Sequence, residues 1–415
     1  MKLLLQTLFF FLLLTQICFG QWFSQNSGTT QHLNKVQFVD ANTGWAVGSE
    51  GIIIKTTDGG SNWLTQTSGT TVMLESVYFP NPNIGWAVGD SGTILSTIDG
   101  GISWSSQTSG TQYCLFSVHF VDGNTGWIVG ASGTILSTTD GGINWSSQTS
   151  GTSINLYSIY FFDVNTGWAV GGNSSTFGQC QIILKTLNGG TVWAAQITGM
   201  LCLFSVYFID ANTGWAAGGG GIMGEEEIIV NTTDGGVNWS DQTSGMAWVL
   251  SSVHFIDANT GWVVGGSKIL KTIDGGTNWI EQTSSPTNLL SSVYFIDSNT
   301  GWAVGRDGAI LHTTNGGVTF IDNEPTQPTE FILEQNYPNP FNPNTVISYQ
   351  LPVGGDVILK VYDILGNEIA TLVDEYKPAG RYEVEFNAAT LPSGVYLYKL
   401  QANEFISVKK MVLVK

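Results

Sequence analysis

Short apolar runs along the chain alternate with clusters of Gly, Asn, Asp and Ser, and the alternation repeats. Residues 74–107 show one unit. Leu74-Glu75-Ser76-Val77-Tyr78-Phe79, Gly85-Trp86-Ala87-Val88-Gly89, Thr93-Ile94-Leu95-Ser96 and Trp104-Ser105-Ser106-Gln107 each read as a short β-strand bounded by turn formers. Four such strands joined by tight turns predict an antiparallel meander. The Gly-Trp pair that opens the second strand recurs seven times, at Gly44-Trp45, Gly85-Trp86, Gly126-Trp127, Gly167-Trp168, Gly214-Trp215, Gly261-Trp262 and Gly301-Trp302. A spacing of roughly forty residues is what a four-stranded blade occupies, and seven blades close a ring. The pattern therefore predicts an all-β chain built on a seven-bladed β-propeller.

The turns carry further information. Between the second and third strands, Ser91-Gly92, Glu50-Gly51 and Asp307-Gly308 predict two-residue hairpins in which glycine supplies the positive φ. Between the third and fourth, Thr97-Ile98-Asp99-Gly100-Gly101-Ile102-Ser103-Trp104 fits the Asp-box pattern Ser/Thr-x-Asp-x-Gly-x-x-Trp, with relatives centred on Asp58, Asp140, Asn188, Asp234, Asp274 and Asn315. An Asp or Asn there accepts hydrogen bonds from backbone N–H groups just ahead of it, and the aromatic packs back over the hairpin. The side chain is a fastener, since a catalytic acid has no reason to recur once per blade. Fourteen of the fifteen tryptophans fall on repeat positions, and Trp248 alone does not. Each can bury on the order of 200 Å², so aromatic packing is the expected source of cohesion. Residues 21–28 copy a fourth-strand segment yet precede the first blade, which predicts that they complete the seventh blade and remove a free edge.

The ends of the chain differ from its body. Residues 1–20 hold Lys2, a Leu/Phe run and Cys18-Phe19-Gly20, and read as a secretory signal peptide cut after Gly20. No other segment is long and apolar enough to span a bilayer, so the mature chain is expected to lack a transmembrane segment. Net charge is −18, and only six Lys or Arg lie between Lys35 and Arg306, which argues against nucleic acid or an anionic membrane as partner. Cys114, Cys180 and Cys202 are too few and too scattered for a disulfide framework. Residues 323–330 read as a linker. Residues 331–415 lack Trp and Asp-boxes, and their strand-like runs predict a small Ig-like β-sandwich.

Two stretches resemble known families. Asn336-Tyr337-Pro338-Asn339-Pro340-Phe341-Asn342-Pro343-Asn344-Thr345, Val361-Tyr362-Asp363-Ile364-Leu365-Gly366, Leu391-Pro392-Ser393-Gly394-Val395-Tyr396 and the closing Lys409-Lys410-Met411 resemble the type A C-terminal sorting domain of the type IX secretion system. That resemblance implies export to the periplasm, passage across the outer membrane with the type IX machinery as partner of residues 331–415, and release or attachment at the cell surface. The Asn-Thr-Gly-Trp and Thr-x-Asp-Gly-Gly-x-x-Trp strings of residues 21–322 resemble Asp-box propellers related to photosystem II assembly and stability factors. Those factors are associated with a basic surface, whereas this propeller has one arginine, Arg306, so a photosynthetic role is not implied.

For function, enzymatic and binding readings compete. Sialidases also carry Asp-boxes, but their three-arginine clamp on a carboxylate is missing here, where Arg306 and Arg381 lie in different domains. A glycoside hydrolase needs two carboxylates across a cleft. Asp40, Asp122, Asp163, Asp210, Asp257 and Asp297 recur before Asn-Thr-Gly-Trp as turn residues, and nothing pairs the off-repeat acids Glu75, Asp90, Asp241 and Glu281. His119 and His254 stand where Tyr78, Tyr207 and Tyr294 stand in other units, and no metal spacing or cofactor motif appears. Recognition of an extracellular protein or glycan is the remaining reading, with a secreted carbohydrate-active hydrolase as alternative. Insertions at residues 172–181 and 218–227, together with Trp248, fall on one sector of one face. Residue pairs entering the innermost strands, among them Tyr113-Cys114 and Trp248-Val249, are expected to ring the channel mouth. Trp248 and Tyr113 are the candidate anchors, with Glu225, Glu226 and Glu227 beside Trp248 as a site for a cationic partner or Ca²⁺.

Overall fold

The computed structural model describes residues 22–172, 181–199, 201–220, 226–246, 248–282, 288–317 and 330–415. The signal segment, Glu225, Cys180 and linker residues 323–329 lie outside them. Two compact units emerge, residues 1–319 and 320–415. In the first, the described strands form seven four-stranded antiparallel sheets. Their inner strands are Leu33–Phe38, Leu74–Tyr78, Leu115–Phe120, Leu156–Phe161, Cys202–Phe208, Leu250–Phe255 and Leu290–Phe295. The fourth strand of the last blade comes from the front of the chain, where Phe23–Gln25 pairs antiparallel with Ile310–Thr313.

One aromatic device, repeated at every seam, holds the ring together. The Trp of each Gly-Trp pair stacks flat on the inner-strand Phe of the next blade: Trp45 on Phe79 at 3.6 Å, Trp86 on Phe120 at 3.5 Å, and round to Trp302 on Phe38 at 3.4 Å. Its indole N–H donates to a carbonyl in that blade's Asp-box, as Trp45 does to Gly100 and Trp302 to Gly59. The Asp-box Trp meets the same Phe edge-on, as Trp104 meets Phe79 at 88°. Blade 7 takes this last element from outside its own sequence, for Trp22, fully buried, stands edge-on to Phe295 at 87°. Offset and edge contacts of this kind each add about 0.5–1.5 kcal/mol beyond area burial.

The Asp-box itself is a closed hydrogen-bond unit. Asp99 Oδ1 accepts from the Thr97 hydroxyl at 2.8 Å and from Ser103 N at 2.9 Å, while Thr97 Oγ1 accepts from Gly101 N. Asp58, Asp140, Asn188, Asp234 and Asp274 repeat the Thr hydroxyl contact and the acceptance from a backbone N–H four residues on; Asn315 repeats the Thr contact and accepts from Gly317 N. In the turns between second and third strands, left-handed backbone extends to the residue before the glycine: Ser91 has φ 56° and Gly92 φ 70°. A two-residue turn with both φ positive matches the twist of the flanking strands.

In the second unit, Ile332–Leu333, Asn344–Leu351 and Gly380–Asn387 form one sheet, and Glu368–Lys377, Gly355–Tyr362, Gly394–Ala402 and Phe405–Leu413 the other. They share one core that includes Ile347, Leu359, Tyr398 and Met411. The Asn-Tyr-Pro-Asn-Pro motif is anchored by Asn336, whose buried amide donates to Pro338 O and Thr345 Oγ1 and whose N–H donates to the Tyr398 hydroxyl.

Candidate binding site at the loop face and in the channel

Each inner strand begins on the face that carries the blade-to-blade loops, and a register shift after its first residue bulges it there. The residue pairs that enter these strands are pinned by their backbone. His32 O, Met73 O, Cys114 O and Leu289 O accept from Ser49, Asp90, Ala131 and Arg306 N–H groups of their own blades' turns, all within 2.9–3.0 Å. In these four blades the strand entry is thus tied to the blade's own hairpin turn.

Tyr113 and Trp248 both stand out at the rim of this face, 54% and 57% exposed. They are three blades apart, so the fold does not bring them together. Trp248 lies over Gly266, whose added Cβ would meet the indole at 3.6 Å. The acidic candidates divide. Glu226 and Glu227 belong to the strand Glu226–Thr232, since the blade 5 insertion lengthens the hairpin and Gly219 pairs with Glu227. Glu227 is occupied: its carboxylate accepts from Ser244 N at 3.0 Å, Gly245 N at 2.8 Å and the Ser244 hydroxyl. That corrects the expectation of a loop for Glu226 and Glu227, because the further pairs Gly218–Ile228, Gly219–Glu227 and Gly220–Glu226 satisfy the backbone better than an open loop does, while Glu225 lies outside the described residues. Glu226 is exposed, and among the described residues no cluster of three His, Cys, Asp or Glu is arranged for a metal ion.

Just below the rim, the residue after the leading Leu of each inner strand forms a tier that sequence reading passed over. It holds Asn34, Glu75, Phe116, Tyr157, Phe204, Ser251 and Ser291. Phe116, Tyr157 and Phe204 make a continuous aromatic arc across blades 3 to 5, with ring centroids 5.1 Å apart at both steps. Polar groups fill the remaining arc. Asn34 Nδ2 donates to Leu74 O and to Glu75, and His32 Nε2 lies 3.2 Å from Ser291 Oγ. Burial, then the nearby Asp90 carboxylate, raises the Glu75 carboxyl to about 7. Greater variation at this position than elsewhere in the Leu-x-Ser-Val-Tyr-Phe frame was the available signal.

Deeper in, the channel is lined by two further tiers. Serines at the third position accept from the next blade's inner-strand N–H: Ser205 from Val253 N at 3.1 Å, Ser158 from Val206 N at 3.2 Å, Ser252 from Val293 N at 3.3 Å. Blade 1 carries Lys35 instead. Below lies a ring in which Tyr78, His119, Tyr160, Tyr207, His254 and Tyr294 follow one another at 4.5–5.3 Å. Burial holds both imidazoles down at about 3 and raises the Tyr160 phenol to about 12. Gln37 completes the ring in blade 1, its amide donating to Phe79 O at 3.0 Å and accepting from Phe79 N at 2.6 Å. Gln37 therefore restitches the one seam that lost its serine.

The recurrent acids are spent in turns: Asp40 Oδ1 accepts from Asn42 N and Thr43 N, both at 2.8 Å, and Asp122, Asp163, Asp210, Asp257 and Asp297 do likewise. Among the off-repeat acids, the Asp90 charge adds to the effect of burial in raising the Glu75 carboxyl.

The family described as Photosynthesis system II assembly factor YCF48 matches residues 15–108, 64–149, 105–178 and 242–325, overlapping spans that cover more than half of the chain. The chain belongs to the YCF48 family. A second family, described as Secretion system C-terminal sorting domain, matches residues 335–415. Among solved structures, YCF48 bound to D1 peptide aligns at TM-score 0.59 and 21% identity, over 72% of this chain and 96% of that one. PorZ, described as an essential bacterial surface component of the type-IX secretion system of Porphyromonas gingivalis, aligns at 0.54 and 12%, over 94% and 60%. An ancestral GH74 enzyme aligns at 0.54 and 13%, over 94% and 63%. No curated protein matches. At these identities the structures share the fold with this YCF48-family propeller, and its sorting tail indicates export to the cell surface or beyond. No helix among the described residues is long and apolar enough to cross a membrane.

Proposed function

We propose that this protein is an exported, non-enzymatic recognition module that binds an extracellular protein or glycan at the loop-face mouth of its propeller. The observation that carries the reading is the split tier, with an aromatic arc of Phe116, Tyr157 and Phe204 on one side and Asn34, Glu75, Ser251 and Ser291 on the other. Aromatic faces provide contact area at low entropic cost, and the polar arc supplies direction. Trp248 and Tyr113 stand above it as outer contacts. Export runs through the signal segment to the periplasm and then through the type IX machinery engaged by residues 331–415. Structures described as YCF48 bound to D1 peptide and as a type-IX surface component agree with a binding role.

The second reading, a glycoside hydrolase, is favoured by Glu75 at the channel mouth, whose carboxyl is raised to about 7 by burial and then by the Asp90 charge, the range in which a general acid works. Turnover assays on a polysaccharide panel, run beside glycan and protein arrays on the mature chain, separate the two. Binding without products supports recognition; products lost in Glu75→Gln would establish the hydrolase.

A further inference from the structure

Lys35 breaks the rule of the inner strands. Where Ser76, Ser117, Ser158, Ser205, Ser252 and Ser292 each accept a hydrogen bond from the neighbouring blade, Lys35 cannot, and Gln37 repairs the seam in its place. The seam therefore needs no cation. The other described cations of the propeller are employed: Lys55 and Lys185 donate to Gly100 O and Gly235 O while lying over Trp45 and Trp168, Lys271 lies over Trp262, and Lys268 pairs with Glu281. Arg306 belongs to an exposed turn. Lys35 is partly buried in the channel wall, lines the cavity there, and makes no hydrogen bond or ion pair among the described residues.

We propose that the channel binds a small monocarboxylate, with its carboxylate on the Lys35 ammonium and its apolar part within the ring of tyrosines and histidines. The cavity there measures about 170 Å³ and no carboxylate lines it. A cavity of roughly 150 Å³ accepts benzene, so the space suits a small acid up to benzoate in size. The His119 and His254 rings form part of the same walls. The charge count selects a monoanion. His119 and His254 stay neutral, and the phenols of Tyr78, Tyr160, Tyr207 and Tyr294 are pushed further from ionisation. Among the residues lining the cavity Lys35 is then the single charge, with the Glu75 carboxyl on the neighbouring inner strand held by Asn34 in the tier above, and a dianion would leave one charge buried and uncompensated. Burial lowers the Lys35 amine to about 8, so affinity is present at neutral pH and lost as pH rises past that value. The site is separate from the mouth tier, and its test requires no ligand there.

The test is titration of acetate and of benzoate into the mature full-length chain carrying labelled lysine, reading the Lys35 side-chain resonance in the parent and the ligand's own line broadening in parent and variants alike, with sodium chloride at matched ionic strength and neutral benzamide as controls. Expected are a saturable shift with benzoate, none with benzamide, and at least tenfold weaker binding from pH 7 to pH 10. Lys35→Ser should abolish binding while raising the melting temperature, because it restores the serine staple and removes the buried charge. Lys35→Met, which keeps the shape, should abolish binding as well. A shift that never saturates, equal binding of benzamide, or benzoate binding retained in either variant overturns the proposal.

Discussion

A Cβ on Gly85 would lie 2.3 Å from the Phe79 ring, and the glycine of each Gly-Trp pair faces its inner-strand Phe in the same way. The dipeptide is one device: glycine lets the Phe lie flat, and the tryptophan stacks on the next Phe along the ring. Overpacking a filled core costs about 1–3 kcal/mol. Gly85→Ala is therefore expected to lose about that much in denaturant unfolding, and an unchanged midpoint would mean the ring is not seated as described. The sequence made this pair visible by repetition, but its purpose needed the register between blades. Histidine position was likewise legible, its consequence not. His119 and His254 sit at about 3 in the fold against about 6.5 when unfolded, so the unfolded chain binds more protons between those values. Their contribution is whole above about pH 6.5 and declines on acidification toward pH 3. Glu75, raised to about 7, works in the opposite sense with a smaller displacement. Asp99, held near 2 by the Ser103 side chain and backbone, adds stability above its unfolded value near pH 4 and loses it as pH falls through about 2. The His119→Tyr/His254→Tyr double variant, which copies the other blades, should flatten the fall in melting temperature between pH 6.5 and pH 4. Parallel curves for variant and parent would remove the histidines from the account.

At the scale of elements, the last blade is the vulnerable one, because its outer strand and its edge-on tryptophan both arrive from the other end of the chain. Trp22 is fully buried against Phe295. Trp22→Ala should cost about 3–5 kcal/mol, as large buried aromatics do, and a smaller loss than for an exposed site such as Trp248→Ala would contradict ring closure through this strand. Strand order and turn chemistry were legible because each blade repeats the same alternation of apolar residues with turn formers. The blade 5 insertion was not, since Gly218-Gly219-Gly220 has the composition of a loop yet pairs with Ile228, Glu227 and Glu226 as a lengthened hairpin. The mouth tier was missed for a related reason. Alternation assigns Phe116, Tyr157 and Phe204 to a channel face only once the bulge after each leading Leu is known.

For the whole molecule, the sorting tail and the proposed recognition surface belong to different units. Removing residues 331–415 from the chain in a host with type IX machinery should leave the propeller folded in the periplasm, and its normal appearance in the medium would disconnect the tail from export. The central claim is that the loop-face mouth is the recognition surface. Its most direct test is one comparison: the mature parent chain and a Phe116→Ala/Tyr157→Ala variant of equal melting temperature, probed on the same glycan and protein arrays. The account predicts at least one ligand held by the parent and weakened by about 2 kcal/mol or more in the variant, the scale of an aromatic hot spot. Identical binding by both proteins would contradict it.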